Sequence, residues 1–410
     1  MSLLRVDEAL RRILEGAVTI TQSETVPLAE AEGRVLAGDL AARLTQPPFD
    51  ASAMDGYAFR ADDAAEPGAE LTVIGMSAAG HGFAGTVGPG ETVRIFTGAP
   101  VPAGADTVLI QENAETLPEN RLRVTSVPAR GANIRPRGQD FREGETVLRT
   151  GTVMDFPRLT VAAAMDHATV NVLRKPLVAI LATGDELVRP GEARTAEQIV
   201  ASSIYGTAAL ARAAGANVLD LGIARDDPAE IAAAVERARA AGADVLVTLG
   251  GASVGDHDLV RPVLETLGLE LDFWRIAMRP GKPLMVGRLG GMHVLGLPGN
   301  PISTLICSLL FLEPLTRRLG GLPSIDRAAT ARTATALKAN DHRQDYLRAR
   351  LFTGPDGVLV AEAATRQDSS QTKVLADSGC LILRPPNAPP LEAGSPCPIL
   401  LLRPLGPPGS

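Results

Sequence analysis

Between Pro176 and Ser303 the chain repeats one pattern, an apolar run that stops in a polar, glycine-bearing loop. Residues 177–182 run into Thr183-Gly184-Asp185-Glu186. Residues 245–249 run into Gly250-Gly251-Ala252-Ser253-Val254-Gly255-Asp256-His257-Asp258, and residues 294–297 into Pro298-Gly299-Asn300-Pro301. Helical spacing covers 203–214, 228–241, 258–267 and 301–318. Alternation of this kind predicts βαβ units and a mainly parallel sheet, and a strand apolar at every position is one buried on both faces. Such doubly wound sheets take ligands in the crevice beyond the carboxyl ends of their strands.

The remaining chain has a different texture. Helical spacing near the N-terminus, over 6–14, puts Leu10, Ile13 and Leu14 on one face. From about residue 45, short β-rich runs (71–74, 92–96, 107–111, 122–127) alternate with turns, and the glycine-rich stretch 75–90 reads as loop. Residues 141–175 carry turn signals and a small apolar segment, 159–165, expected to pack back on the first helix. Beyond about residue 325, short strands and proline turns predict a small barrel or sandwich. The expected fold class is multidomain α/β plus all-β, with a central doubly wound α/β domain between N-terminal β-rich domains and a C-terminal small β-barrel. The expected domains are 1–45 with 141–175, 46–140, 176–322 and 323–410.

Net charge −7, from 47 acidic and 40 basic residues in 410, argues against a nucleic-acid or membrane-surface protein. An anionic ligand would need a local basic cluster. Cys307, Cys380 and Cys397 form no CxxC pair, so buried, reduced thiols are expected. The start, Met1-Ser2-Leu3-Leu4-Arg5-Val6-Asp7-Glu8, lacks signal-peptide character, and no uncharged run is long enough to span a membrane. A cytoplasmic location follows as the expectation.

Each loop offers chemistry beside a plainer reading. Asn300-Pro301 predicts a capped helix start, which either favours an oxyanion or is merely an ordinary capped helix. The loop from Gly250 to Gly255 is neither a dinucleotide fingerprint nor a Walker loop, and serves as an anion-binding nest or as a flexible turn. Asp256 and Asp258 suit a divalent ion or a helix dipole. Of the adjacent acids Asp185 and Glu186, an extended chain turns only one inward, and Glu186 is favoured. Asp227 before Pro228 reads as an N-cap, leaving Asp226 for metal or ligand. Arg279-Pro280-Gly281-Lys282-Pro283 is a rigid, doubly cationic turn, fit for a compact dianion or simply solvated. No two of the five histidines are spaced for zinc.

With these residues assembled, the chain resembles the molybdopterin molybdenumtransferase (MoeA, molybdenum insertase) family, which is related to the C-terminal region of gephyrin. The carriers are Pro48-Phe49-Asp50-Ala51-Ser52-Ala53-Met54-Asp55-Gly56-Tyr57-Ala58, then Arg94-Ile95-Phe96-Thr97-Gly98-Ala99 and Ile134-Arg135-Pro136-Arg137-Gly138-Gln139-Asp140. The segments 183–187, 250–258, 280–283 and 296–301 follow in the family's order. The resemblance implies a central molybdopterin-binding domain and a homodimer whose site lies between the β domain of one subunit and the α/β domain of the other. It implies insertion of molybdate into adenylylated molybdopterin with Mg²⁺-dependent release of AMP. Transient contact with molybdopterin-synthesis proteins and apo-molybdoenzymes goes with that role; nucleic acid and membrane do not. The rival readings are a non-catalytic scaffold of the same fold and an adenylyltransferase-like enzyme.

Motif by motif, the resemblance implies catalytic roles for Asp55, Thr97, Asp140 and Glu186. It implies substrate contacts from Asp226, Gly250, Gly251, Ser253, Asp258, Pro298, Gly299, Asn300 and Pro301. Molybdate would meet Arg279, Lys282, Ser303, Arg348, Ser369 and Ser370, and Mg²⁺ would draw on Asp55, Glu186, Asp226 and Asp258. Four positions depart from the family's habit. Ala51 stands where asparagine is common, Ala252 where valine is usual, and Arg279 where lysine is usual. Ala201-Ser202-Ser203 lies where an asparagine is typical.

Overall fold

The computed structural model describes residues 3–251 and 259–403. The chain divides into two compact units, residues 25–172 and residues 1–24 with 173–410.

In the 25–172 unit a six-stranded mixed sheet runs in the order Thr107–Ile110, Gly56–Phe59, Glu91–Ile95, Glu70–Ser77, Arg121–Val124, Ala114–Leu117. Neighbouring residues of its strands face opposite ways, as the pleat requires. Phe59 and Leu109 enter one buried cluster with Leu71 and Leu122, while Ala58 and Val108 enter another with Ile95. The Glu70–Ser77 strand extends into the stretch expected to be loop. Gly75 is there for packing: a Cβ on it would lie 2.4 Å from the Phe83 ring, which covers it. A further core joins Val26, Leu36 and Leu40 to Phe141, Leu148 and Met154, and Leu40–Ala41 pairs with Thr146–Leu148. The apolar segment at 159–165 forms part of the helix Phe156–Ala164, capped by the Asp155 carboxylate on the Arg158 amide.

In the other unit a six-stranded sheet runs Asn217–Ala224, Leu177–Thr183, Val245–Leu249, Met292–Leu297, Met285–Leu289, Glu270–Trp274. The first four strands are parallel and the last two join antiparallel. Val178, Ile180 and Ala182 pack on one face and Ala179 and Leu181 on the other, all at most 2% exposed. Both faces are therefore covered, the condition for continuously apolar strands. Helices Ser203–Ala213 and Pro301–Cys307 lie over the first face, and Pro228–Ala240 and Val260–Thr266 over the second.

Two expectations change here. The helix Val6–Glu15 buries Val6, Ala9 and Ile13 in the α/β core and belongs to that unit, whereas 141–172 belongs to the other, and its buried stripe begins at Val6 instead of Leu10. The predicted 301–318 helix is interrupted by a π-helical turn, Ser308–Leu312, before continuing as Glu313–Leu319. Pro314 has no N–H to continue the ladder, and the turn ahead of it widens.

The C-terminal strands close on themselves in the order Gln344–Thr353, Leu359–Ala363, Ala328–Thr333, Pro396–Leu401, Cys380–Arg384 and back to the first. This five-stranded barrel holds Cys380 and Cys397 in its core, while Cys307 is buried in the α/β core; all three are free thiols. Burial pushes the Cys380 thiol up to about 12. No helix among the described residues is long and apolar enough to cross a membrane.

Candidate active site

The parallel strands 177–183, 245–249 and 292–297 end level, because Ala182 pairs with Leu249 and Leu249 with Leu297. Their loops thus open onto one cleft of about 700 Å³, within the size range of small-molecule sites. Its lining includes Glu186, Asp226, Gly250, Gly251, Pro298, Gly299, Asn300, Pro301, Ser303 and Ser370. Of the residues assigned to substrate contact, Ser253 and Asp258 lie outside the described residues, as does the acid Asp256.

Asp185 and Glu186 occupy a turn, so strand alternation does not separate them. Gly184, at φ +142°, does: a Cβ there would lie 2.3 Å from the Glu186 carboxylate, so the missing side chain makes room for it. Glu186 lines the cleft, while the Asp185 carboxylate accepts a hydrogen bond from the Asp226 amide at 3.1 Å. Asp227 caps the following helix by accepting from Ala229 N and Glu230 N, with Pro228 at the first helical position. Asn300 occupies the N-cap position of Pro301–Cys307, but its side chain makes no capping bond. The expected side-chain cap is absent, and Thr304 Oγ1 instead donates to the Asn300 carbonyl at 3.0 Å.

Three hydroxyl-bearing residues of the lining are largely buried: Thr183 at 6%, Ser203 at 9% and Ser303 at 5% exposure. None makes a side-chain hydrogen bond among the described residues, which leaves each hydroxyl open to a ligand or to water in the cleft. Ser303 comes from the Asn300-Pro301 motif; Thr183 and Ser203 are site residues that the sequence motifs do not mark. A threonine ending a buried strand, and serines beginning a helix beside an asparagine-to-serine departure, were the available signals. Leu187–Val188 pairs with Ile199–Val200 to build one wall, a pairing that no local period announces.

The barrel adds a polar cluster at the rim. Ser370 lines the cleft, and both its hydroxyl and its amide donate to Asp368 Oδ1, at 2.7 and 2.8 Å. The hydroxyl first, then the amide, hold the Asp368 carboxyl below its ordinary value. The Ser369 carbonyl accepts from Ile302 N at 3.1 Å, joining this loop to the helix that bears Ser303. Arg348, 1% exposed, donates through Nη2 to the Asp368 carbonyl at 3.1 Å, and its Nε has no partner. Burial lowers the pKa of its guanidinium, against the pull of Asp368 and Asp345. Arg279 and Lys282 do not line the cleft. Arg279 is paired with Asp345, and Lys282 is exposed.

The 25–172 unit carries Asp55, Thr97 and Asp140. Asp55 Oδ1 accepts from both the amide and the hydroxyl of Thr97, each at 2.8 Å, and these bonds hold its carboxyl below the ordinary value. Arg94 lies between the Tyr57 and Phe96 rings, 4.9 and 5.0 Å from their centroids, and adds a weaker attraction. Asp140 lines a second cleft of about 500 Å³ with Gly98, Phe49, Arg135 and Gln139. Arg135, from the Ile134–Asp140 motif, joins this lining although the resemblance implies no role for it.

Among the described residues no three of His, Cys, Asp and Glu gather as a metal site. Glu186 and Asp226 line one cleft, and two carboxylates with substrate phosphates satisfy Mg²⁺. Asp55 belongs to the other unit and does not line that cleft.

Residues 4–165 match the family model for the MoeA N-terminal region (domain I and II), 179–318 a probable molybdopterin binding domain, and 330–402 the MoeA C-terminal region (domain IV). It is 33% identical over 383 residues to the molybdopterin molybdenumtransferase of Haemophilus influenzae, covering 93% of this chain and 94% of that one. With the Bacillus subtilis protein of the same name it shares 35% over 413 residues, covering 97% and 94%. A crystal structure of the molybdopterin biosynthesis MoeA protein from Pyrococcus horikoshii is similar at TM-score 0.83 and 29% identity, covering 98% of this chain and all of that one. By its three matched regions, its relatives and its fold, the chain belongs to the MoeA family of molybdopterin molybdenumtransferases.

Proposed function

We propose that this protein inserts molybdate into adenylylated molybdopterin and releases AMP in a Mg²⁺-dependent step. The observation that carries the reading is the cleft above the parallel sheet, which combines carboxylates, glycine backbone and hydroxyl side chains in about 700 Å³. A pterin nucleotide needs that mixture: apolar walls for the ring, backbone amides and hydroxyls for phosphate, and acids for a metal. Glu186 and Asp226 would hold Mg²⁺, with Asp258 as a further acid. Bound there, the ion would supply charge neutralisation for the phosphoanhydride.

Splitting a phosphoanhydride depends on positioning more than on a protein nucleophile. Gly250, Gly251, Pro298, Gly299, Asn300 and Pro301 line the cleft and would fix the nucleotide, with Ser253 beside them. Ser303, Ser369, Ser370, Arg348, Arg279 and Lys282 would receive molybdate, a compact dianion suited to hydroxyls and paired cations. Asp55, Thr97 and Asp140 would complete the site from the partner subunit of a homodimer. The Asp55 carboxylate, held ionised by Thr97, serves such a role by keeping its charge at neutral pH.

The test supplies purified protein with adenylylated molybdopterin, Mg²⁺ and molybdate. AMP release should accompany activation of an apo-molybdoenzyme. Binding of the nucleotide without either event would favour a scaffold. Sedimentation should show a dimer, and mixing D55N with E186Q subunits should restore activity that neither homodimer has.

A further inference from the structure

We propose that Asp345 is a positioning residue of the oxyanion site, fixing the Arg279 guanidinium so that the remaining nitrogens of its fork can meet an anion. The inference rests on the reading that Arg279 binds molybdate. Met278–Arg279, the entry to the doubly cationic turn, lies parallel to the first strand of the barrel, with Arg279 in register with Asp345. The register sets a carboxylate beside the guanidinium, and Asp345 Oδ2 accepts from Arg279 Nη2. The Asp345 side chain is 5% exposed and its Oδ1 has no partner. A buried carboxylate with one oxygen unsatisfied persists only where a cation compensates it.

The two ends of the pair differ in freedom. Arg279 is 48% exposed, and its other bonds, to Asp341 at 3.4 Å and Asn340 at 3.5 Å, sit at the limit of hydrogen bonding. One nitrogen is thus held firmly, and the rest of the fork remains available to a ligand. Lysine would have to serve Asp345 and an anion from a single nitrogen, whereas the guanidinium assigns them separate ones. This gives the arginine at 279 a reason within this chain.

The experiment measures molybdate dependence of cofactor formation in D345N, R279Q, R279K and the D345N/R279Q double variant, with thermal melts alongside. D345N should raise the molybdate KM about tenfold while kcat stays within about threefold, and D345E should recover part of the loss. In the R279Q background D345N should add less than twofold, since contacting residues are not additive. R279K, which preserves the charge and tests the idea even if D345N fails to fold, should raise KM about fivefold. A lower KM in D345N would mean that Asp345 merely repels the anion, and would overturn the proposal. So would a lower melting temperature with KM unchanged, or effects of D345N and R279Q that multiply. An unchanged KM in R279Q alone would instead remove Arg279 from the oxyanion site.

Discussion

Replacing Arg348 by methionine should weaken catalysis without weakening the fold, and the structure sets the size of both effects. Arg348 is 1% exposed, its Nε is unpartnered, and its one side-chain hydrogen bond goes to the Asp368 carbonyl. Leaving a charged donor buried and unsatisfied costs about 1–3 kcal/mol, and the lost bond to the carbonyl returns about 1 kcal/mol. Methionine fills a similar volume with no donor to desolvate, so R348M should be neutral or more stable by up to about 2 kcal/mol. A charge-assisted hydrogen bond to molybdate contributes about 1.5–3 kcal/mol, so kcat/KM for molybdate should fall about 10- to 150-fold. Chemical denaturation of the ligand-free protein and a molybdate titration of cofactor formation measure the two quantities. If R348M is destabilised by more than about 2 kcal/mol while kcat/KM holds, the arginine is structural and the argument from its unsatisfied donor fails.

Glu186 is exposed at the cleft rim, so E186Q should leave the melting temperature within about 1 °C yet cut turnover at least about tenfold and raise the Mg²⁺ requirement. Thr97 holds the Asp55 carboxyl below its ordinary value. Because the folded pKa is depressed, the favourable contribution of ionised Asp55 is present above the unfolded pKa and lost as pH falls through the folded one. T97V keeps the amide bond but loses the hydroxyl, so the acid limb of activity and the Asp55 titration seen by NMR should both move to higher pH; an unmoved titration would contradict the hydrogen-bond explanation. Arg327 donates to both Glu313 oxygens, at 2.8 and 2.7 Å, with Glu313 only 5% exposed. R327A strands that carboxylate and should cost about 3–5 kcal/mol in urea denaturation, whereas R327A with E313L should recover most of it.

Much of the α/β domain could be read directly from residue order. The 177–182 run is apolar throughout because both faces of its strand are covered, and Asp227-Pro228 marks a helix start that the structure caps as expected. Such signals are local, carried by side-chain period and by backbone restrictions on single residues. Where local rules met tertiary packing they gave way. Gly75 reads as a turn but lies in a strand beneath Phe83, and the first helix chose its buried stripe to suit the α/β core. Glu186 reached the cleft through the space at Gly184, although the alternation used to choose it does not operate in a turn.

By itself, the sequence determined that three strands end in loops able to hold a phosphate-bearing ligand, and its ordered motifs determined the family. Those properties depend on residues near one another in the chain. Only the tertiary structure decided which charges meet. Arg279 and Asp345 are 66 positions apart and are joined by a strand register, and the unpartnered Nε of buried Arg348 appears only once every neighbour has been placed. A charge or hydroxyl is the same residue type whether satisfied or not; its environment makes it available for chemistry, and that environment is assembled through space.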